Sequence, residues 1–275
     1  MEERARSVEE YHFQHRVFTP ATAGAWARIV GLEREIRLCC FLLLRKRLRY
    51  TSVDVIEEIH KKWNQSRGEE VANSISHGIG LLAGAIGTPI LLFAAWQRGS
   101  IAFAVGAAVF AATMLLLYLG STLYHAWPRT AFKSALQVVD HSAIFLLIAG
   151  TYTPFTLGPL HGPRGWVILA LVWALAVCGV ILKTRKGALH RPRVAMALYL
   201  GMGWLIIVAI RPLASAVPLS TLLWLVAGGV AYTGGVIFFV REHVRYNHFV
   251  WHLFVLGGTL CHYFAVLTYA TSTVA

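Results

Sequence analysis

The sequence predicts an all-α integral membrane protein with seven transmembrane helices, a cytoplasmic N-terminus and a C-terminus outside. Of its 275 residues, 57% are hydrophobic and 14% are charged, and the mean hydropathy is +0.59. A soluble domain normally carries about 25% charged residues. Seven stretches lack Asp, Glu, Lys and Arg, and each reaches the roughly 17–25 residues that a spanning helix needs. They lack the two-residue alternation of barrel strands, and lipid permits only helices or closed barrels.

Each of these seven stretches predicts one helix. The first contains Gly80 and Gly84, and small residues at this spacing let neighbouring helices approach closely. Pro89, Pro154 and Pro212 are expected to kink or end the helices that contain them. In chain order, the stretches are 71–97, 99–128, 141–163, 165–182, 194–210, 212–240 and 246–275.

The basic residues predict the orientation of the chain in the membrane. Nine Lys and Arg lie in the connections after the second, fourth and sixth stretches, and three (Arg98, Arg164 and Arg211) lie in the alternate connections. The positive-inside rule places the side with nine in the cytoplasm. The formal net charge of +12 is dispersed among these connections. With no soluble basic domain to hold a duplex, nucleic acid is excluded as a partner, and a multi-pass protein of the cell (plasma or inner) membrane is expected.

Residues 1–68 differ from the rest and predict a cytoplasmic N-terminal extension. They contain 13 Lys and Arg and 9 Asp and Glu. Leu38–Leu44 is too short to span a bilayer and precedes a basic cluster, which is typical of an interfacial helix. A second amphipathic helix is expected from about Ser52 to Trp63. The alternative is that the extension is partly disordered because of its high charge.

Polar residues of the kinds that bind zinc stand at the ends of the apolar stretches. His248 and His252 are four residues apart at the start of the last stretch, and Ser121 and His125 have the same spacing at the end of the second. Asp140 immediately precedes the third. The predicted topology puts all of them at the same depth on the cytoplasmic side. Ionisable residues beside a span are costly and are functional by default.

These residues suit a zinc site. Side chains four residues apart share one helical face, so His248 and His252 can converge on one ion, and His125 would supply a third nitrogen. Three protein ligands with one open position are typical of catalytic zinc, whereas structural zinc is closed by four. Asp140 could orient the water, accept its proton or hold a ligand imidazole. Ser121, one turn from His125, could hydrogen-bond that carboxylate.

The remaining histidines near the spans are assigned other roles. His262 lies about 15 Å beyond His252 along the helix and cannot share the ion, and His141 is expected to make a buried polar contact. Glu70, Asn73 and His77 share one face at the start of the first span. A network that supports the zinc site is favoured for these three over direct ligation.

The combined motifs resemble the hemolysin III family, a bacterial branch related to the progestin and adipoQ receptors, which include the adiponectin receptors. The stretches that carry the resemblance are EEVANSISHGIG (69–80), STLYHAWP (121–128), VDHSAIFLLIAGTYTPF (139–155) and WHLFVLGGTLCHYFAVL (251–267). The resemblance covers about 69–275 and implies a seven-helix membrane domain with zinc held by His125, His248 and His252. It also implies that Asp140 is linked to zinc through water and that Ser121 lies nearby. The N-terminal extension is longer than bacterial members usually carry.

Three functions are open at this point. The resemblance implies a zinc-dependent, ceramidase-like hydrolase that cleaves amide bonds of membrane lipids. The alternative is a sensor or regulator of membrane state in which zinc is structural. A pore-forming cytolysin, which the family name implies, ranks last, because a pore needs a polar path across the whole bilayer and the ionisable groups cluster at one end. Membrane lipids are the expected partners, and the sequence assigns no protein partner.

Overall fold

A computed structural model describes residues 65–184, 192–241 and 244–273. The described residues contain no strand, and seven helical segments among them are long and apolar enough to cross a membrane, which confirms the predicted all-α fold with seven spans. The two helices predicted within 1–64 lie outside the described residues. The helices are α1 (Arg67–Gln97), α2 (Ile101–Ala126), α3 (Ala131–Leu157), α4 (Pro163–Thr184), α5 (Pro192–Trp204), α6 (Ile210–Ala216), α7 (Leu219–Phe239) and α8 (Asn247–Thr271).

The fifth span is interrupted. Its two helices, α5 and α6, are joined by a 3-10 segment, Leu205–Ala209, and together they form one candidate span over Val194–Ala216. The hydroxyl of Tyr152 on α3 supports the interruption, because it accepts a hydrogen bond from the Ile206 amide at 2.9 Å and faces the carbonyls of Met202 and Gly203 at 2.7 and 2.8 Å. A phenol from a neighbouring helix thus replaces hydrogen bonds that a continuous helix would make internally.

Five charged residues assigned to connections lie within helices: Lys133, Arg164, Lys183, Arg193 and Arg211. Lys133 lies in the first turn of α3, which begins ten residues before the charge-free stretch that predicted it. The prediction that Arg211 lies in a connection is wrong, because Arg211 belongs to α6 and the fifth span continues to Ala216. The length of a charge-free stretch therefore underestimates the length of a helix wherever a charged side chain is buried among other side chains or lies near the end of the span.

The packing of α1 fixes the end of the bundle at which α1, α3 and α8 begin and α2 ends. A Cβ atom added to Gly80 would lie 2.5 Å from Leu256 of α8 and 3.0 Å from the Tyr118 ring of α2, so a larger residue here would have to displace the Leu256 side chain. The start of α1 is fixed by a capping box in which Ser66 and Glu69 hydrogen-bond each other's backbone amides. The capping box thus defines where α1 begins, and the contact at Gly80 packs α1 closely against α2 and α8.

Candidate metal centre

Three buried histidines meet at this end of the bundle. His125 lies in the last turn of α2, and His248 and His252 lie in the first two turns of α8. One ring nitrogen of each can be chosen so that all three lie within 4.8 Å of one another. The residues are only 2–7% exposed, and their ring centroids are 4.8–5.2 Å apart. The structure thus brings together the three residues that the sequence singled out as metal ligands.

His125 is oriented by a carboxylate of α1. Its Nδ1 lies 2.8 Å from Oε2 of Glu70, and Oε1 of Glu70 lies 2.8 Å from Nζ of Lys133. A carboxylate paired with a lysine is ionised and can only accept, so the imidazole proton is on Nδ1. Nε2 of His125 is buried and has no hydrogen-bond partner among the described residues. It therefore keeps a free lone pair that faces the other two histidines.

His252 is oriented by the backbone of α1. Its Nδ1 lies 3.2 Å from the carbonyl oxygen of Asn73 and 3.2 Å from Oγ of Ser76, which itself donates to the Asn73 carbonyl. A carbonyl only accepts, so this imidazole also carries its proton on Nδ1. The ring of His77 stacks on His252, with centroids 3.7 Å apart and an interplanar angle of 4°. Glu70, Asn73 and His77 all lie against the cluster, and two of them contact Nδ1 of a predicted ligand.

His248 is placed by the turn that precedes α8. Tyr246 has a φ of 61°, which is uncommon for a residue other than glycine. Its amide donates to Oε1 of Glu69 at 2.9 Å. Glu69 thus caps α1 and fixes the start of α8, which sets the position of His248 relative to the α1 residues.

Asp140 and Ser121 lie at the edge of the cluster. Both are buried, at 7% and 0% exposure, and Ser121 lies near the Asp140 carboxyl group, although its hydroxyl makes no hydrogen bond among the described residues. Asp140 lies outside the set of atoms that are within 4.8 Å of one another. It lines a small cavity of about 20 Å³ together with His77, His248 and His252. This volume is enough for about one water molecule or ion.

A second and larger cavity adjoins the first. It has a volume of about 360 Å³ and lies among α3, the fifth span, α7 and α8, with mainly aliphatic and aromatic side chains as its walls. It shares four lining residues with the small cavity: Leu117, Ile144, Trp251 and Val255. His262 lines its distal part, where Nε2 lies 3.4 Å from the Leu225 carbonyl oxygen.

The sequence pattern does not mark Lys133 and Ser76 as residues of the site. Lys133 contributes only to the predicted topology, although it stands seven residues before Asp140 and therefore on the same face of a helix. Ser76 follows Asn73 by three residues and precedes His77, so it completes the polar face of α1. His141 contributes its carbonyl oxygen, which accepts a hydrogen bond from the Tyr199 hydroxyl at 2.8 Å, and its side chain lines the small cavity.

The donor set fits a transition-metal ion. It offers three neutral imidazoles, and the Nδ1 atoms of His125 and His252 are held by hydrogen-bond acceptors, an arrangement that orients metal-binding histidines and raises their basicity. Nε2 of His125, which has no hydrogen-bond partner among the described residues, is the atom of this residue that would bind an ion. The cavity beside Asp140 leaves room for a further small ligand.

The fold and this site define a seven-span membrane protein with a buried three-histidine centre at one end of its bundle. Comparison with known proteins gives the family: residues 65–263 match the model of the haemolysin-III related family, and the chain belongs to that family. It is therefore a multi-pass protein of the cell membrane.

Curated relatives agree with this membership. Over 208 residues, the chain is 44% identical to Hemolysin-3 of Bacillus cereus, covering 74% of this chain and 93% of the relative. It is 42% identical to the Hemolysin-3 homolog of Bacillus subtilis, covering 73% and 94% of the two chains. Identity falls to 25% with the human Monocyte to macrophage differentiation factor, covering 73% and 84%. The last relative is adiponectin-receptor-like, in accord with the superfamily that the motifs indicate.

Proposed function

We propose that this protein is a zinc-dependent hydrolase that cleaves an amide bond of a membrane lipid. The observation that carries this proposal is the apolar cavity beside the histidine centre. Its volume of about 360 Å³ lies within the range of ligand pockets, roughly 300–1,000 Å³. Its apolar walls suit an acyl chain, and its shared wall with the small cavity would bring the polar end of that lipid towards the histidines.

The ligand set supports zinc. Three histidines with a fourth position open are typical of catalytic zinc, and the donors here are His125, His248 and His252. Zinc would polarise the amide carbonyl and acidify a water molecule in the adjacent cavity.

Asp140 is the base in this proposal, because its carboxylate lines the cavity that can hold the water. It accepts a proton as the water oxygen adds to the carbonyl carbon, and it returns the proton to the nitrogen as the C–N bond breaks. The products are a fatty acid and an amine. Ser121 lies near this carboxylate and would be available to hydrogen-bond it.

A matched pair of glycines on α5 tests the role of the large cavity. Gly203 lines the cavity, whereas Gly201 does not, and a Cβ atom added at either position would meet no atom within 4 Å. Gly203→Leu should fill part of the cavity and lower the release of fatty acid from a ceramide-like lipid by the zinc-loaded protein. Gly201→Leu should leave the rate and zinc content at wild-type values.

A sensor of membrane state with structural zinc is the second candidate. It is favoured by the burial of a cluster that joins α2 to α8. Wild-type protein that holds zinc and releases no fatty acid from ceramide-like lipids would overturn the hydrolase proposal and favour this one. Pore formation is less supported, since the large cavity is apolar and the buried ionisable groups are gathered at one end.

A further inference from the structure

We propose that Lys133 is a positioning residue for the metal ligand His125, acting through Glu70. This inference rests on the proposed metal site. The residues form a chain in which Nζ of Lys133 lies 2.8 Å from one carboxylate oxygen of Glu70, and Nδ1 of His125 lies 2.8 Å from the other. The side chains of Lys133 and His125 are 1% and 0% exposed. The carboxylate therefore bridges a fixed cation and a fixed imidazole.

Lys133 connects three helices at this point. It stands on α3, it pairs with Glu70 of α1, and its ammonium group donates to the Trp127 carbonyl at 3.3 Å just after α2. It also lies 4.9 Å from the centre of the Tyr124 ring. These contacts hold the ammonium group in one place, so Oε1 of Glu70 is held as well.

The ion pair explains how a partly exposed carboxylate can orient a buried imidazole. The Glu70 side chain is 14% exposed, so without Lys133 it could turn towards water and release Nδ1 of His125. With Oε1 anchored, Oε2 keeps accepting from Nδ1, and Nε2 keeps facing the other two histidines. A buried ion pair adds little stability by itself because desolvation offsets the attraction. Here the ion pair instead fixes the direction in which the lone pair on Nε2 of His125 points.

Cobalt(II) binding to the full-length protein in detergent tests this inference, because cobalt reports both affinity and ligand geometry through its visible absorption bands. Lys133→Met should weaken cobalt binding by about 10–100-fold, the usual effect of removing a group that orients a metal-bound histidine. At saturating cobalt the variant should bind one ion per chain with a shifted spectrum. A purely structural defect would lower the amplitude and leave the affinity and spectrum of the folded fraction unchanged.

Arg98→Met is the matched control. Arg98 also joins helices, since it donates to the carbonyls of Tyr269 and Ser272 and lies 3.8 Å over the Tyr269 ring, but it does so at the opposite end of the bundle. This variant should bind cobalt with wild-type affinity and spectrum. Wild-type affinity and spectrum in Lys133→Met would overturn the proposal.

Glu70→Gln is a second test of the same proposal, because it removes the ion pair while keeping a side chain of equal size. This variant provides the test if Lys133→Met does not insert into the membrane. Unchanged cobalt affinity in Glu70→Gln would overturn the proposal. Where both single variants fold, Lys133→Met should cause little further loss in the Glu70→Gln background, because no carboxylate remains to be held. A full second loss would show that Lys133 acts independently of Glu70, which also overturns it. Metal bound without lipid hydrolysis would overturn only the proposed function, and wild-type protein that binds no metal would overturn both.

Discussion

The hydroxyl of Tyr152 should contribute a measurable part of the stability of the membrane domain. Tyr152→Phe removes one accepted and one donated hydrogen bond at the interruption of the fifth span, because a single phenolic proton can serve only one of the two facing carbonyls at a time. Hydrogen bonds between membrane helices average about 0.6 kcal/mol, which gives about 1 kcal/mol for two. A buried backbone group left unpaired costs about 1–3 kcal/mol. We therefore expect a loss of about 2 kcal/mol.

Reversible unfolding in detergent or bicelles measures this loss. Tyr263→Phe is the control, because the Tyr263 hydroxyl donates one hydrogen bond, to the Gly87 carbonyl at 2.8 Å, and its loss should cost about 0.6 kcal/mol. Metal binding should be unchanged in Tyr152→Phe, since Tyr152 stands twelve residues from Asp140 on α3, about 18 Å along the helix axis. Equal destabilisation by the two substitutions would refute the view that the phenol supports the interruption.

Three further predictions concern the metal and the topology. Replacing His125, His248 and His252 together by alanine should remove the zinc that metal analysis finds in the wild-type protein, and retention of wild-type zinc would rule out this ligand set. Asp140→Ala should keep its zinc at saturating metal while lipid amide hydrolysis falls by about 10–100-fold; zinc loss as complete as in His252→Ala would instead make Asp140 a direct ligand. Reporters fused at Ala275 and within 184–190 should report opposite sides of the membrane, with 184–190 in the cytoplasm, and a shared side would contradict the predicted orientation.

The sequence is most informative about features that depend on local spacing. The pairing of His248 with His252 follows from one turn of helix, and their shared depth with His125 follows from counting spans. The stretches without charge locate seven spans for the same reason, since the cost of charge in lipid acts residue by residue. The structure confirms the seven spans and gathers the three histidines as their spacing predicts.

Features that depend on tertiary partners could not be predicted in this way. Lys133 lies inside a helix because a carboxylate from α1 neutralises it, and nothing near Lys133 in the sequence signals that partner. The interruption of the fifth span precedes Pro212 and depends on a phenol from α3. The large cavity exists because the side chains around it do not fill the space between their helices. A helical pattern shows which side chains face the interior but gives no information on whether their volumes fill it.

The two cavities must connect for the proposed hydrolysis to occur, and their shared wall indicates how. The ring of Trp251 is fixed by packing, since a Cβ atom at Gly235 would lie 2.9 Å from it and the Phe239 ring centroid is 5.3 Å away. Ile144 and Val255 are β-branched and hold one strongly preferred χ1 rotamer in a helix.

Leu117 is the remaining wall residue, and it is free of β-branching. It stands one turn before Ser121 on α2 and lines both cavities, so we expect rotation of its side chain to be the step that opens a path from the large cavity towards Asp140. Leu117→Ile keeps the number of carbon atoms and adds a branch at Cβ, which restricts that rotation. It should therefore slow lipid amide hydrolysis while the zinc content of the purified protein stays at the wild-type value. A wild-type rate with wild-type zinc would show that the substrate reaches the histidines by another route.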